Sequence, residues 1–359
     1  MNTATEERTP DTVVGQLVDE LAGSLGVLLV ALGTRAGLWK ELAGAGPMTA
    51  AELAGRTGVA EPLVREWCRA QAAGGYLTYQ PEDGTFMLPD GVAGALLRGP
   101  GLAMVDACTD MFRSMGAGFD EFAAAFAAGR GFGWHRHDAL FWHGSDALTR
   151  VALPPELIGA ALDQLGSVTA TLVTGGSVLD VGAGYGTPTL AVAEHFPAAR
   201  VLGVDYHEAS VAHARATAAD AGMADRVRFE VGTATDLPGA DYTLVTFFDS
   251  LHDLGDPVGA LVQARAALAP DGAVMLVEPL AADRVEDNLT PSGRMFYAVS
   301  TLICTPNAVS QTAGTGGPAP LGTQAGEALL RETAAAAGFT RVRRLPVEAP
   351  LNLVLELRP

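Results

Sequence analysis

The sequence predicts an α/β protein: a mostly parallel, doubly wound sheet of seven strands behind an all-helical, winged-helix N-terminal region. Three observations carry this. Ser177–Gly186, SVLDVGAGYG, runs from an apolar β-branched segment into three alternate glycines. From Gly175 onward, strand-like and helix-like segments alternate, which implies a parallel sheet covered on both faces. Residues 50–88 read as helix, turn, helix and small hairpin.

In chain order, residues 1–10 read as a loose polar tail and Asp11 to about Leu42 as helical, with a break near Gly44-Ala45-Gly46-Pro47. Thr49-Ala50-Ala51-Glu52 is a capping box that opens a helix over 50–57. After the turn Gly58-Val59-Ala60 comes a second helix, Glu61 to Ala73, then Tyr76–Tyr79, a turn at Pro81–Gly84 and Thr85–Leu88. A DNA-reading winged helix needs a basic face. This second helix carries only Arg65 and Arg69, beside Glu61 and Glu66, so the expectation is a structural or dimerising winged helix.

Residues 99–172 read as a mostly helical linker. It holds His135, His137 and His143 among Trp134, Phe141 and Trp142. His135 and His137 cannot share a helix face, and no Cys or carboxylate completes a metal-ligand spacing, so the expectation is the wall of a small-molecule pocket and no metal.

Strands are expected at 177–181, 200–204, 227–231, 241–247, 272–277, 340–345 and 351–357. The domain boundaries read as 11–98, 99–172 and 173–359. The exception to compact spacing is 280–323, with a helical piece over 291–302 and the run TAGTGGPAP over 312–320. So long an insertion reads as a substrate loop, with a bare surface loop at 312–322 as the plain alternative.

Bulk properties narrow the classes. Hydrophobic residues make up 48% and charged residues 18% of the 359, a globular balance. The net charge is −18, and residues 1–100 hold 12 acidic against 7 basic residues, so nucleic acid and anionic lipid are poor partners. Cys68, Cys108 and Cys304 lack metal or redox spacing and fit a reduced cytoplasm, with Cys68 as plain core. The N-terminus MNTATEERTPD is no secretory signal. Leu21–Thr34, uncharged over 14 residues, is shorter than the roughly 20 needed to span a bilayer and reads as a buried helix, with a dimer interface as one place for it.

The glycine turn suggests a ligand. A dinucleotide fingerprint is G-x-G-x-x-G, but here Thr187 stands where the third glycine belongs and the spacing is Gly182, Gly184, Gly186. Asp205, 23 residues after Gly182 at the tip of the next strand, is placed to accept from both ribose hydroxyls. Together they indicate an adenosine ligand without a pyrophosphate.

VLDVGAGYG, VLGVD, VGTATDLP and FFDSLHD, in that order over 175–280, resemble the class I S-adenosylmethionine-dependent methyltransferases, with a Rossmann-like sheet. With the winged helix and helical linker, nearly the whole chain resembles the small-molecule O-methyltransferases of plants and actinobacteria. The resemblance implies S-adenosyl-L-methionine as cofactor, S-adenosyl-L-homocysteine as product, and a homodimer through the N-terminal domain. It places Asp180, Gly182, Gly184 and Gly186 by the methionine part, Asp205 on the ribose, Thr233 and Ala234 at the adenine edge, and Phe248 with the cofactor. The acidic residue that the family often has at the adenine edge is absent, and Asp236 either substitutes for it or caps a turn.

Losing a phenolic proton, pKa near ~10, calls for a base. His252 of Ser250-Leu251-His252-Asp253 matches the family base, with Asp253 retained and Leu254 in place of tryptophan. Its plain alternative is a strand cap. Glu278 matches the carboxylate that orients it, and Asp283, Glu286 or Asp287 is a candidate third carboxylate. The expected acceptor is a small aromatic or apolar metabolite, against Trp134, Phe141, Trp142, Arg294, Met295, Phe296 and Tyr297. Two rivals stand beside methyl transfer: a non-methylating S-adenosylmethionine-binding enzyme of the same fold, and a ligand-sensing winged-helix regulator. Acidic charge counts against the second.

Overall fold

The structure is a computed structural model, and it describes residues 9–312 and 320–359. The chain divides into two compact units, Met1–Arg113 and Ser114–Pro359. Of the loose tail expected over 1–10, residues 1–8 lie outside the described residues, as does the glycine- and proline-rich run at 313–319, while Thr9 and Pro10 already form the cap and first residue of a helix.

The first unit holds α1 (Pro10–Arg35), α2 (Leu38–Leu42), α3 (Ala50–Thr57), α4 (Glu61–Ala73) and the antiparallel pair β1 (Thr78–Gln80) and β2 (Thr85–Met87). The expected single helix to Leu42 is broken after Arg35, where Gly37 takes φ +71°. The capping box forms: Glu52 N donates to Thr49 Oγ1 at 3.2 Å, and Thr49 N donates to Glu52 Oε2 at 2.7 Å. Arg65 pairs with Glu61 and Arg69 with Glu66, so the second helix of the winged helix shows no unpaired arginine.

The core of this unit is built on Trp39 and Trp67, whose ring centroids are 4.7 Å apart. Their indole N–H groups reach back to α1: Trp39 Nε1 donates to Val30 O and Trp67 Nε1 to Leu29 O, each at 2.9 Å. Gly33 permits this approach, since a Cβ there would lie 2.5 Å from Trp67 Cζ2. Only this C-terminal part of α1 is covered. Leu17, Leu21 and Leu25 are 53%, 66% and 61% exposed, which corrects the expectation of a buried helix within the chain. The uncharged run belongs to a 26-residue helix. By length and composition, α1 is the one single helix among the described residues able to cross a membrane, so shortness no longer argues against it.

The second unit is organised on seven strands: β3 (Gly176–Val181), β4 (Ala199–Asp205), β5 (Val227–Val231), β6 (Tyr242–Phe248), β7 (Leu268–Pro279), β8 (Arg341–Arg344) and β9 (Asn352–Arg358). Their order is β5-β4-β3-β6-β7-β9-β8; the first five run parallel, and β9 pairs antiparallel with both β7 and β8. Side chains alternate between two cores, as the pleat demands. Val178, Leu244 and Met275 enter one, and Leu179, Val245 and Leu276 the other. The chain runs outward from β3 through β4 and β5, then returns to β6 on the other side of β3. That leaves a crevice at the carboxyl ends of β3 and β6, where open α/β sheets bind ligands.

The 280–323 insertion is more helical than expected. Helix Pro291–Val299 continues through a π-type turn, Ser300–Cys304, into helix Thr305–Thr312.

Trp39 is 1% exposed at the centre of the first unit. Trp39→Ala is expected to destabilise that unit by about 3–5 kcal/mol, read as a lowered urea midpoint. An unchanged midpoint would show that the unit is not held by this core.

Candidate active site

The crevice begins with the glycine turn. Gly182, Gly184 and Gly186 take φ +76°, +51° and +85°, the left-handed region that glycine enters without strain. A Cβ on Gly182 would lie 2.6 Å from Ser250 Cβ, so this glycine lets β3 and the segment after β6 close up. At Gly184 a Cβ would meet nothing within 4 Å; this backbone faces open space. Helix Thr187–His195 follows, with Pro188 in its first turn as the sequence indicated.

Carboxylates ring the crevice, and several are held by donors from neighbouring elements. Asp180, at 1% exposure, accepts from Thr189 Oγ1 at 2.5 Å and Thr246 Oγ1 at 2.8 Å. Burial raises its pKa to about 6 against the pull of those hydroxyls. Asp205 accepts from Gly184 N and His207 N, both at 2.8 Å, tying the tip of β4 to the turn. Burial raises its pKa too, and those amides oppose the shift.

At the ends of β6 and β7, Glu278 accepts twice. Leu251 N donates to its Oε1 at 2.9 Å, and His252 Nδ1 lies 2.5 Å from its Oε2. A carboxylate can only accept, so His252 Nδ1 carries a proton and Nε2 is the position that gains or loses one. Nε2 lies 3.4 Å from Asp253 Oδ1. Burial works against charge on His252, but Glu278 and Asp253 outweigh it and hold its pKa well above the ordinary histidine value.

A cavity of about 650 Å³ fills the crevice. Of the expected residues, Asp180, Gly182, Gly184, Asp205, Thr233, Ala234, Phe248, Asp253, Trp134 and Trp142 line it. Gly186, His252 and Glu278 sit behind the wall, His252 and Glu278 at 4% and 2% exposure. Phe141 is wholly buried with its ring 5.0 Å from that of Trp134, and is core. Arg294, Met295, Phe296 and Tyr297, which precede the π-type turn, do not border the cavity; Asn307 and Gln311, which follow it, do. Asp236 is exposed and off the wall. Asp283 accepts from Ala328 N at 2.8 Å, Glu286 pairs with Arg284, and neither these two nor Asp287 borders the cavity.

Sequence reasoning missed Asp249, Tyr206, Asn307 and Gln311. Asn307 Oδ1 accepts from Trp134 N and Tyr206 Oη, each at 3.0 Å, while its Nδ2 donates to Asp253 O at 3.2 Å. Asp249 had one local signal, its place just before Ser250-Leu251-His252-Asp253. It adopts φ +48° and accepts from Asn352 Nδ2 at 3.0 Å. The three linker histidines do not gather. His137 stacks on Phe141 at 3.8 Å, with burial lowering its pKa to about 4, and His143 Nδ1 contacts Ala139 O.

A second cavity of about 330 Å³ is lined by Met115, Phe119, Phe122, Phe132, His137 and Leu302, with Arg136 and Asp138 also on its wall. It is mostly apolar, and Phe132, Arg136 and His137 on its wall belong to the linker segment of aromatics and histidines expected to wall a pocket.

Comparison with known proteins places the chain. Residues 172–319 match the methyltransferase domain family, and residues 23–98 the Rv2258c-like winged HTH domain. A curated relative, dimethylglycine N-methyltransferase of Parasynechococcus marenigrum, is 29% identical over 155 residues, 41% of this chain and 55% of that protein. The match thus spans about half that relative's length. Among solved structures, a candidate O-methyltransferase of Nostoc punctiforme superposes with TM-score 0.71 at 21% identity, over 98% of this chain and 99% of its own. Human N-acetylserotonin methyltransferase in complex with S-adenosylmethionine does so with TM-score 0.64 at 16% identity, over 99% of each chain.

The buried carboxylates make stability depend on pH. Burial raises the Asp249 pKa from 3.8 to about 7. The folded state therefore keeps a proton that the unfolded chain releases, and this contribution is full below the unfolded value and lost as pH rises towards about 7. Asparagine keeps the shape and tolerates the left-handed backbone. Asp249→Asn is expected to melt like the parent near pH 4 and increasingly above it towards pH 8. An advantage that does not grow with pH would show that folding leaves Asp249 ionised.

Proposed function

We propose that this chain, a methyltransferase domain behind a winged-helix domain of the S-adenosylmethionine-dependent kind, moves a methyl group to a hydroxyl of a small, flat, apolar acceptor, with His252 as the base. The observation that carries the reading is the Glu278–His252 pair at the carboxyl end of β6, beside a cavity whose shape and charge suit S-adenosylmethionine.

The residues fit that cofactor. Asp205 stands at the tip of β4, Gly184 leaves open space where a side chain would intrude, and Thr233 and Ala234 form another part of the wall. Asp180, Asp205, Asp249 and Asp253 border the cavity, a negative lining that suits a sulfonium cation. When bound, the cofactor supplies a methyl group activated on positively charged sulfur.

The protein's own part is alignment and proton removal. Glu278 fixes the His252 tautomer so that Nε2 is the atom that takes the acceptor's proton, and its charge then stabilises the imidazolium. The second cavity is our choice for the acceptor's apolar body, because phenyl rings and Met115 favour a flat apolar group. Trp134, two residues beyond Phe132, lines the first cavity, so one short segment contributes to both walls. The names of the solved neighbours favour oxygen as the acceptor atom, while the curated relative acts on nitrogen.

A homodimer belongs to the same reading. The exposed apolar residues Val14, Leu17, Val18, Leu21, Leu25, Leu28 and Leu32 recur at three- and four-residue spacing, while Gln16, Asp19 and Glu20 interrupt a fully apolar surface. One stripe on a long helix suits packing against a second helix better than immersion in lipid.

Two experiments follow. Asp205→Ala is expected to weaken S-adenosylmethionine binding about 10- to 100-fold by calorimetry, the worth of one charge-assisted hydrogen bond. His252→Ala should leave that affinity nearly intact and slow labelled methyl transfer to a panel of phenols about 100- to 10,000-fold. Undisturbed binding in Asp205→Ala sinks the cofactor assignment; undiminished transfer in His252→Ala sinks the base. Separately, Leu21→Glu with Leu25→Glu should shift the sedimenting species from dimer to monomer, and a parent that sediments as a monomer would refute the dimer.

A further inference from the structure

Methyl transfer as read above leaves one buried group at the site without a task. Cys304 is 5% exposed and comes into the same cluster as His252 and Asp253, although some 50 residues of chain separate them. The π-type turn Ser300–Cys304 carries it; such turns are frequent at functional positions. We propose that His252 Nε2, Asp253 Oδ1 and Cys304 Sγ form a binding site for a thiophilic divalent cation of the Zn²⁺ class.

The geometry is near what such an ion needs. The ligand atoms of the three side chains lie within 4.8 Å of one another, and His252 Nε2 and Asp253 Oδ1 are 3.4 Å apart. A tetrahedral Zn²⁺ with N, O and S ligands at ~2.0–2.3 Å sets its donors roughly 3.3–3.8 Å apart. One pair already has that separation, and the thiol lies in contact with both partners. Asp253 Oδ1 is buried without a hydrogen-bond partner, an acceptor that a cation would satisfy. Glu278 on His252 Nδ1 supplies the outer carboxylate that orients metal-bound histidines. Asp253 also lines the 650 Å³ cavity, which gives the ion a way in.

The donor set selects the metal class. Imidazole, carboxylate and thiolate together suit Zn²⁺ or Co²⁺ and disfavour Mg²⁺ and Ca²⁺, which take oxygen ligands. As the metal–sulfur bond forms, the thiol proton leaves to solvent, and Nε2 likewise binds through its lone pair. An ion there occupies the atom that would otherwise accept the acceptor's proton, so cation binding and base function exclude each other. The binding itself does not depend on the proposed function.

The test is Co²⁺ titration of the full chain, stripped of metal, followed by thiolate-to-cobalt absorption. One equivalent is expected to produce the band in the parent. Cys304→Ser and Cys304→Ala, with folding checked by circular dichroism, should lose it, although Cys68 and Cys108 remain. Glu278→Gln should weaken binding about 10- to 100-fold, as loss of an outer-shell partner does. Mg²⁺ in excess should not displace Co²⁺, whereas Zn²⁺ should. No band in the parent, or an equal band in both Cys304 variants, would overturn the site.

Discussion

Glu278 joins the carboxyl ends of two neighbouring strands through both of its oxygens, one to the Leu251 amide and one to the His252 imidazole. Neither bond is incidental. A carboxylate at 2% exposure must find donors or lose its charge, and an imidazole beside it gains a fixed tautomer and a fixed direction. The turn Leu251–Asp253 is thereby set against the end of β7, and Asp253 is presented to the cavity. The polar end of the sheet is organised around this pair.

The same logic repeats around the crevice. Asp180 is held by hydroxyls from β6 and from the helix after the glycine turn, and Asp205 by amides of that turn and of the segment after β4. Each carboxylate ties two or more elements together. Of the aspartates lining the cavity, Asp180, Asp205, Asp249 and Asp253 have pKa values raised by burial, so the crevice resists holding every charge at once. A bound cation relieves that strain, whether it is a sulfonium in the main cavity or a metal ion at His252. Function and instability share one source, carboxylates concentrated where water is scarce.

The first unit follows a different economy. Its core is two indoles closed against the C-terminal part of α1, while most of that helix carries an uncovered apolar stripe. The winged helix is present as a shape, but the arginines of its second helix are bound to glutamates on the same helix.

Much was legible in the residues before any coordinates. The alternation of strand and helix, the Thr49 capping box, the glycine turn and Asp205 at the tip of its strand appear where local pattern put them, whereas the contact of His252 with Glu278 is implied by family resemblance. Turn chemistry, capping and the period of a strand are properties of a few adjacent residues, so they survive into any fold that contains them. What tertiary structure alone decided is which distant side chains converge and which face of a helix meets them. The π-type turn at Ser300–Cys304 changes the helical phase, so that Arg294–Tyr297 miss the cavity while Asn307 and Gln311 line it, and Cys304 arrives beside His252. No local rule marks that phase change. Nor does any local rule reveal that, among the described residues, the apolar side chains of α1 are buried only towards its C-terminal end.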